Sequence, residues 1–177
     1  MTVLRDALPA DAAALARLGR EAFTAKFGHL YDPADLSAFL DETHCEATVA
    51  RALADPEVRY RGAERDGALI AWCRLDLACG WPEHARGRCV VELKQLYTAP
   101  GLTGSGLGTA LMDWAMQTAR DHGADEMQLS VWSGNHGAQR FYARYGFAKV
   151  ADIHFMVGQH RDEEYLFARN LAYTKVR

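Results

Sequence analysis

Apolar and polar residues change their period several times along the chain, and each change marks an element. Val3 to Leu8 reads as a first strand. Pro9, Ala10 and Asp11 open a helix running to about Lys26, with Leu15, Leu18, Ala22 and Phe23 on one face. Tyr31-Asp32-Pro33 signals a turn, and Leu36, Phe39 and Leu40 stripe the short helix behind it. A third helix is predicted from Glu46 to Ala54, ending before Pro56. Period two then takes over: Val58 to Glu64 and Ala68 to Leu77 flank Asp66-Gly67, a hairpin-turn pair. The stretch 78–87 carries Gly80, Pro82 and Gly87 and reads as a loop. Cys89 to Thr98 is a longer apolar strand, followed by a glycine-rich loop from Pro100 to Gly108. The helix after it reaches about His122, and its stripe of Leu107, Leu111, Trp114 and Thr118 is expected to be core. Met127 to Trp132 is a strand, and Asn135 to Tyr145 a helix closed by Gly146. Val150 to Val157 and Tyr165 to Leu171 are the last predicted strands. The order β, three helices, β-β-β, α, β, α, β-β predicts an α/β (α+β) chain with one mixed sheet and helices on both faces.

Composition narrows the class. At 177 residues the chain suits one domain spanning 1–177, large enough to bury roughly two thirds of its unfolded surface. Hydrophobic residues make up 49% and charged residues 24%, which disfavours disorder, collagen and coiled coil. No apolar run approaches the roughly 18 residues of a transmembrane helix, and Met1 to Asp6 has no signal-peptide core, so no membrane association is expected. The formal charge of -3 argues against a nucleic-acid partner. Cys45, Cys73, Cys79 and Cys89 form no Cys-x-x-Cys and read as buried, reduced thiols of a cytoplasmic protein. The seven His residues are scattered and no His-Glu-x-x-His occurs, so no metal site is expected. No Gly-x-Ser-x-Gly elbow is present either.

The stretch from Leu96 to Gly108 carries the most information. A strand enters a loop rich in Gly, and the loop opens a helix. Free N–H groups at a helix start favour an anion, and glycine lets it approach. Gly101 to Gly106 has P-loop spacing, but Leu107 stands where the Lys belongs. Gly104, Gly106 and Gly108 fall one residue short of a dinucleotide fingerprint. A ligand-free turn is the bland alternative.

Thr103, Gly104, Ser105, Gly106, Leu107 and Gly108 resemble the acetyl-CoA loop of the GNAT acetyltransferases, Gln/Arg-x-x-Gly-x-Gly/Ala. Thr103 departs from the family's Gln or Arg, so this loop relies on backbone donors and hydroxyls. The segment Trp132 to Phe147 is similar to the family's later motif, with Asn135, Ala138, Phe141-Tyr142 and Gly146-Phe147. The resemblance is firm from Cys89 to Val157. Ala22 to Phe27, Glu92 to Tyr97 and Phe155 to Gly158 look similar to the bacterial spermidine/spermine N-acetyltransferase branch.

The resemblance implies a single, mostly antiparallel sheet whose central parallel strands, Cys89–Thr98 and Met127–Trp132, splay around acetyl-CoA as cosubstrate. Backbone groups of Leu96, Tyr97 and Thr98 would bind the pantetheine arm, and an N–H near Leu96 or Tyr97 would face the developing oxyanion. The amides of Gly104 to Thr109 would take the pyrophosphate, and Ala138 leaves room for the arm. Asn135 is an N-cap residue type. Tyr142 aligns with the family's general acid toward the leaving thiolate, the alternative being a ring that only packs. Glu92 interrupts the apolar run Val90-Val91-Glu92-Leu93 and by alternation shares a face with Lys94 and Leu96. It is either the base that deprotonates the amine or the partner of a nearby cation. His29, His136 and His154 are weaker bases, read first as surface or capping residues.

Between Gly28 and Glu57 seven acids (Asp32, Asp35, Asp41, Glu42, Glu46, Asp55, Glu57) face one base, Arg51. In the family this region walls the acceptor site, and an acidic wall attracts a cationic amine such as a polyamine. Solvated helix faces explain the same acids. Phe23, Phe27, Tyr31, Trp72 and Trp132 are candidate lining of a cation-friendly pocket. The expectation is direct transfer of an acetyl group to a small primary amine. A protein Lys or N-terminal acetyltransferase and a non-catalytic acyl-CoA sensor are the rivals. The late strands offer edges for a possible homodimer.

Overall fold

Asp66 and Gly67 both take positive φ, 51° and 77°, the backbone of a two-residue hairpin turn. They join β2 (Val58–Arg65) to β3 (Ala68–Asp76), the second and third strands of a seven-stranded sheet. The computed structural model describes residues 1–172. β1 (Thr2–Asp6) pairs with β2, and β4 (Val90–Thr98) with β3, all antiparallel. β5 (Glu126–Trp132) lies parallel to β4, then β7 (His160–Asn170) and β6 (Ala148–Val157) complete the order β1-β2-β3-β4-β5-β7-β6. Among the described residues no helix is long and apolar enough to cross a membrane.

Two layers cover the sheet. On one face α4 (Leu107–Asp121) buries Leu107, Leu111, Met112, Ala115, Met116 and Ala119 against Cys73, Leu75, Val91, Leu93, Met127 and Leu129. This corrects the predicted stripe: Trp114 and Thr118 lie at its half-buried margin, where Trp114 receives the Arg61 guanidinium 6.0 Å from its ring centre. On the other face α1 (Ala12–Phe27) and α3 (Glu46–Ala54) bury Leu15, Leu18 and Val49 against Tyr60 and Trp72. α2 (Pro33–Thr43) brings Phe39 and Leu40 to Phe23 and to Val157 of β6. α5 (His136–Arg144) follows β5 and leads through Gly146, φ 82°, into β6.

Strand limits moved where polarity hid them. β1 stops at Asp6, short of the predicted Leu8, and β6 starts at Ala148, two residues early. β7 starts at His160, five residues before the predicted Tyr165, because His160-Arg161-Asp162-Glu163-Glu164 has no apolar alternation to announce a strand. It ends at Asn170, one residue before the expected limit.

Candidate active site in the forked sheet

β4 and β5 pair over only three positions: Val90 with Glu126, Val91 with Met127, and Glu92 with Gln128. Beyond them β4 stays with β3 as far as Thr98, and β5 stays with β7 as far as Trp132. The sheet therefore opens into a fork. The divergence coincides with a bulge, since Arg74 faces Gln95 and Leu75 faces Leu93, leaving Lys94 unmatched. One extra residue exchanges the faces of everything after it. Leu96 consequently packs with the α4 core, and Tyr97 with the clusters under α1 and α2. Simple alternation had put Glu92 and Leu96 on one face; the bulge separates them.

Backbone direction follows from the same register. The Ala99 amide donates to the Ile70 carbonyl at 2.8 Å, so Ala99 and Ile70 form a hydrogen-bonded pair. Antiparallel pairs alternate. Tyr97, opposite Trp72, therefore turns its amide and carbonyl toward β3, whereas Leu96 and Thr98 turn theirs into the fork. Of the two amides considered for the oxyanion, Leu96 is the one aimed at the gap. Tyr97 contributes its side chain instead.

The glycine loop ends below the fork. Gly101, Gly104 and Gly106 take φ of 82°, 82° and 85°, and a β-carbon at any of them would meet nothing within 4 Å. Open space plus a left-handed backbone lets a ligand approach the loop's amides closely. Gly106 is the N-cap of α4 and supplies no side-chain cap, so the amides of Leu107, Gly108 and Thr109 have no helical acceptor. The Leu107 side chain is core; only its amide faces the loop. The Ser105 hydroxyl donates to the Leu102 carbonyl at 2.6 Å, bracing the loop, and Thr103 is exposed.

α5 brings the second motif alongside. Asn135 accepts from the Ala138 amide at 3.2 Å, a side-chain N-cap, and Ala138 packs half-buried against the α4-side core. The Tyr142 ring meets Phe141 at 5.3 Å and Phe147 at 6.2 Å. Its hydroxyl makes no hydrogen bond among the described residues, and burial pushes its pKa well above the usual tyrosine value. It is therefore a protonated group throughout the neutral range.

The opposite face of the fork is polar. Glu92 is 2% exposed; its carboxylate accepts from the Gly80 amide at 2.8 Å and from Lys94 Nζ at 3.3 Å. Glu126 accepts from the amides of Arg86 and Gly87, and Gln128 Nε2 donates to the Trp81 carbonyl. These three side chains strap the 78–88 segment over the narrow end of the fork. Of the two roles open to Glu92, the geometry displays the ion pair.

At the wide end stand aromatic and acidic groups from distant segments. Phe23 stacks on Tyr31 at 5.9 Å and meets Phe27 at 5.2 Å, and Phe27 meets Trp132 edge-on at 6.1 Å. Four of the five proposed pocket aromatics thus cluster. Trp72 does not: it is fully buried between Tyr60, His44 and Tyr97, a core residue. Asp162, 4% exposed, accepts from the Tyr31 hydroxyl and lies 3.2 Å from His160 Nε2. Glu164 projects from the same face two residues on, opposite Trp132. Burial raises its pKa to about 7, Asp162 adds to the rise, and the Ser130 hydroxyl and Lys94 oppose it. His44 is 2% exposed, with Nε2 3.3 Å from the Tyr97 hydroxyl; burial, with Arg20 nearby, lowers its pKa to about 4. His29, His136 and His154 are all exposed. Neither Glu164 nor His44 was singled out from the sequence; a carboxylate two residues from another, just before an apolar run, was the only available sign of the first.

The acidic wall is largely spoken for. Asp32 caps α2 through the Ala34 amide, Asp35 accepts from the Gln159 amide, Asp41 pairs with Arg20, and Asp55 accepts from the Glu57 amide. The unexpected carboxylates at the fork come from β7.

A mixed sheet forked between two parallel strands, with a donor-rich loop and helix start at the fork, defines an acyl-CoA-dependent acetyltransferase architecture. The acetyltransferase (GNAT) family pattern matches residues 15–147, and the chain belongs to that family of N-acetyltransferases. An uncharacterized N-acetyltransferase of Mycobacterium tuberculosis (strain ATCC 25618 / H37Rv) is 33% identical over 162 residues, 91% of this chain and 98% of that one. The aminoalkylphosphonate N-acetyltransferase of Salmonella typhimurium is 34% identical over 98 residues, 55% of this chain and 62% of its own. Among solved structures, the PaiA N-acetyltransferase of Thermoplasma acidophilum in complex with coenzyme A superposes with TM-score 0.77 at 19% identity. It covers 96% of this chain and 99% of that one.

Proposed function

We propose that the protein transfers the acetyl group of acetyl-CoA to a small, cationic primary amine by direct attack with both substrates bound. The observation that carries this reading is the fork itself: free Leu96 and Thr98 backbone groups above the free amides of Leu107, Gly108 and Thr109. These groups fit an extended amide-bearing arm ending in a pyrophosphate, and the coenzyme in the PaiA neighbour supports the assignment. Acetyl-CoA would supply an acetyl group activated as a thioester. Gly104 to Thr109 would hold the diphosphate, and Asn135 and Ala138 would border the arm. The Leu96 amide would donate to the carbonyl oxygen as negative charge develops there. Tyr142, kept protonated by its surroundings, would give its proton to the departing sulfur.

The acceptor reading rests on the wide end. Phe23, Phe27, Tyr31 and Trp132 offer ring faces, and Asp162 and Glu164 offer carboxylates, a combination that favours a cation. A polyamine matches that chemistry and the branch resemblance of the sequence. The test is thiol release from acetyl-CoA across spermidine, spermine, aminoglycosides, amino acids, aminoalkylphosphonates and Lys peptides, with a no-acceptor blank. Turnover of the polyamines is expected. Turnover of peptides alone would overturn the small-amine assignment, and binding of acetyl-CoA without turnover of any amine would point to a sensor.

A further inference from the structure

We infer that Glu164 of β7 is the group that takes the proton from the attacking ammonium, and that Glu92 of β4 serves as a brace. The inference rests on the acetyl-transfer reading above and names the base within it.

Four carboxylates line the polar face of the fork, and their partners distinguish them. Glu126 is occupied by the amides of Arg86 and Gly87. Glu92 is occupied by the Gly80 amide and Lys94. Asp162 is occupied by the Tyr31 hydroxyl and His160. Glu164 has no ion-pair partner within 4.0 Å among the described residues, yet it is only partly exposed. Its register fixes its place. It lies opposite Trp132, the last residue of β5, and opposite Ile153 of β6. Ser130 shares its face of β5, because Leu129 and Val131 point into the α4 core. The groups around it are Asp162 on β7, Ser130 and Trp132 on β5, Lys94 and Tyr97 on β4, Ile153 on β6, and Tyr31 after α1. Tyr31 and Tyr97 are both pushed upward partly by Glu164, which places its charge near their hydroxyls. Tyr142 belongs to the opposite, α4-side cluster. The fork is thus a slot with a proton acceptor on one face and a proton donor on the other.

That arrangement balances the reaction. The ammonium gives one proton to the Glu164 carboxylate, and the nitrogen lone pair then forms the C–N bond at the thioester carbon. The C–S bond breaks, the sulfur takes the Tyr142 proton, and the nitrogen loses its second proton as the amide forms. One of the two nitrogen protons restores Tyr142 and the other reaches solvent. A carboxylate poised near neutrality is suited to this work.

The test compares wild type, Glu164→Gln and Glu163→Gln, with kcat/KM measured from pH 5.5 to 9.5 on the amine that the wild type turns over best. Glu163 lies on the exposed face, 3.3 Å from Arg161. A second acceptor carries a trifluoroethyl-type substituent, so that its amine is already neutral at pH 7. Wild type should show an ascending limb centred near pH 7 with the cationic acceptor. Glu164→Gln should lose about 10²–10³-fold at pH 7 with that acceptor, recover as pH rises, and lose less than about fivefold with the neutral amine. Glu163→Gln should match wild type. An equal loss on both amines would assign Glu164 a structural role and overturn the proposal, as would an unchanged profile. Failure of the wild type to acetylate any amine would overturn the acetyl-transfer reading instead, and this inference with it.

Discussion

If Glu92 is a brace, its two partners set what its removal costs. In Glu92→Gln a carbonyl oxygen remains for the Gly80 amide, and what is lost is the attraction to Lys94. Lys94 is 39% exposed on its side chain, so the pair is worth about 1 kcal/mol or less. In Glu92→Ala the Gly80 amide loses its acceptor, and a hydrogen bond to a charged group goes with it, about 1.5–3 kcal/mol. For a chain of this size 1 kcal/mol moves Tm by about 2–4 °C. Melting followed by circular dichroism should therefore show a drop of at most about 4 °C for Glu92→Gln and about 3–12 °C for Glu92→Ala. Gly80→Ala attacks the same contact from the other side, since its β-carbon would come 2.7 Å from Glu92 Oε2. The losses of Gly80→Ala and Glu92→Ala should fall short of additive by about 1 kcal/mol or more, as expected of groups in contact. Thiol release at 25 °C is the decisive companion assay: Glu92→Gln should keep kcat within about fivefold, the size of effect a loosened loop produces. A Glu92→Gln protein that melts like wild type and yet loses about 100-fold in kcat would refute the brace and return the proton-accepting role to Glu92.

Tyr142→Phe should lower kcat by about 10²-fold or more with KM for acetyl-CoA little changed, read by the same assay. Gly106→Ala forces a side chain onto φ 85° at the start of α4; it should raise KM for acetyl-CoA several-fold and lower Tm by a few degrees. Asn135→Ala removes the cap of α5 and should cost about 1 kcal/mol in urea denaturation. His44 titrates near 4 when folded and near 6.5 when unfolded, so the unfolded chain binds more protons between those values and stability falls as pH drops through that window. Replacing it with Leu should flatten that part of the stability profile; an unaltered slope in urea midpoints from pH 6.5 to 4.5 would contradict its neutral burial.

Much of the fold was legible because local signals agreed with one another. Asp66-Gly67, the Pro-led helix starts and the long apolar run of β4 each point one way. The glycine loop and the Asn135–Phe147 motif were legible for a different reason: each is a backbone requirement written as a residue type. What stayed hidden was set by tertiary context. The bulge at Lys94 has no signature in a run that alternates acceptably without it. The first half of β7 is polar because it faces a cleft and not a core, so the stretch holding Asp162 and Glu164 fell outside the predicted strands. Trp72 resembled a pocket aromatic until α1 was seen to lie across it, with Gly19 close enough that a β-carbon would strike both Trp72 and His44. The acids of 28–57 suggested a charged wall because a sequence does not reveal which carboxylates are already bonded.

Three rungs of pairing between β4 and β5 are a narrow seam for a sheet of seven strands. The strands on either side of it form two plates, one carrying α1 and α3, the other carrying the β6–β7 hairpin. A molecule lying in the gap becomes a crossbar between them. Its binding energy and the stiffness of the joined plates are then one quantity seen from two sides, because whatever holds the plates at the right separation also prepays the cost of occupying the gap.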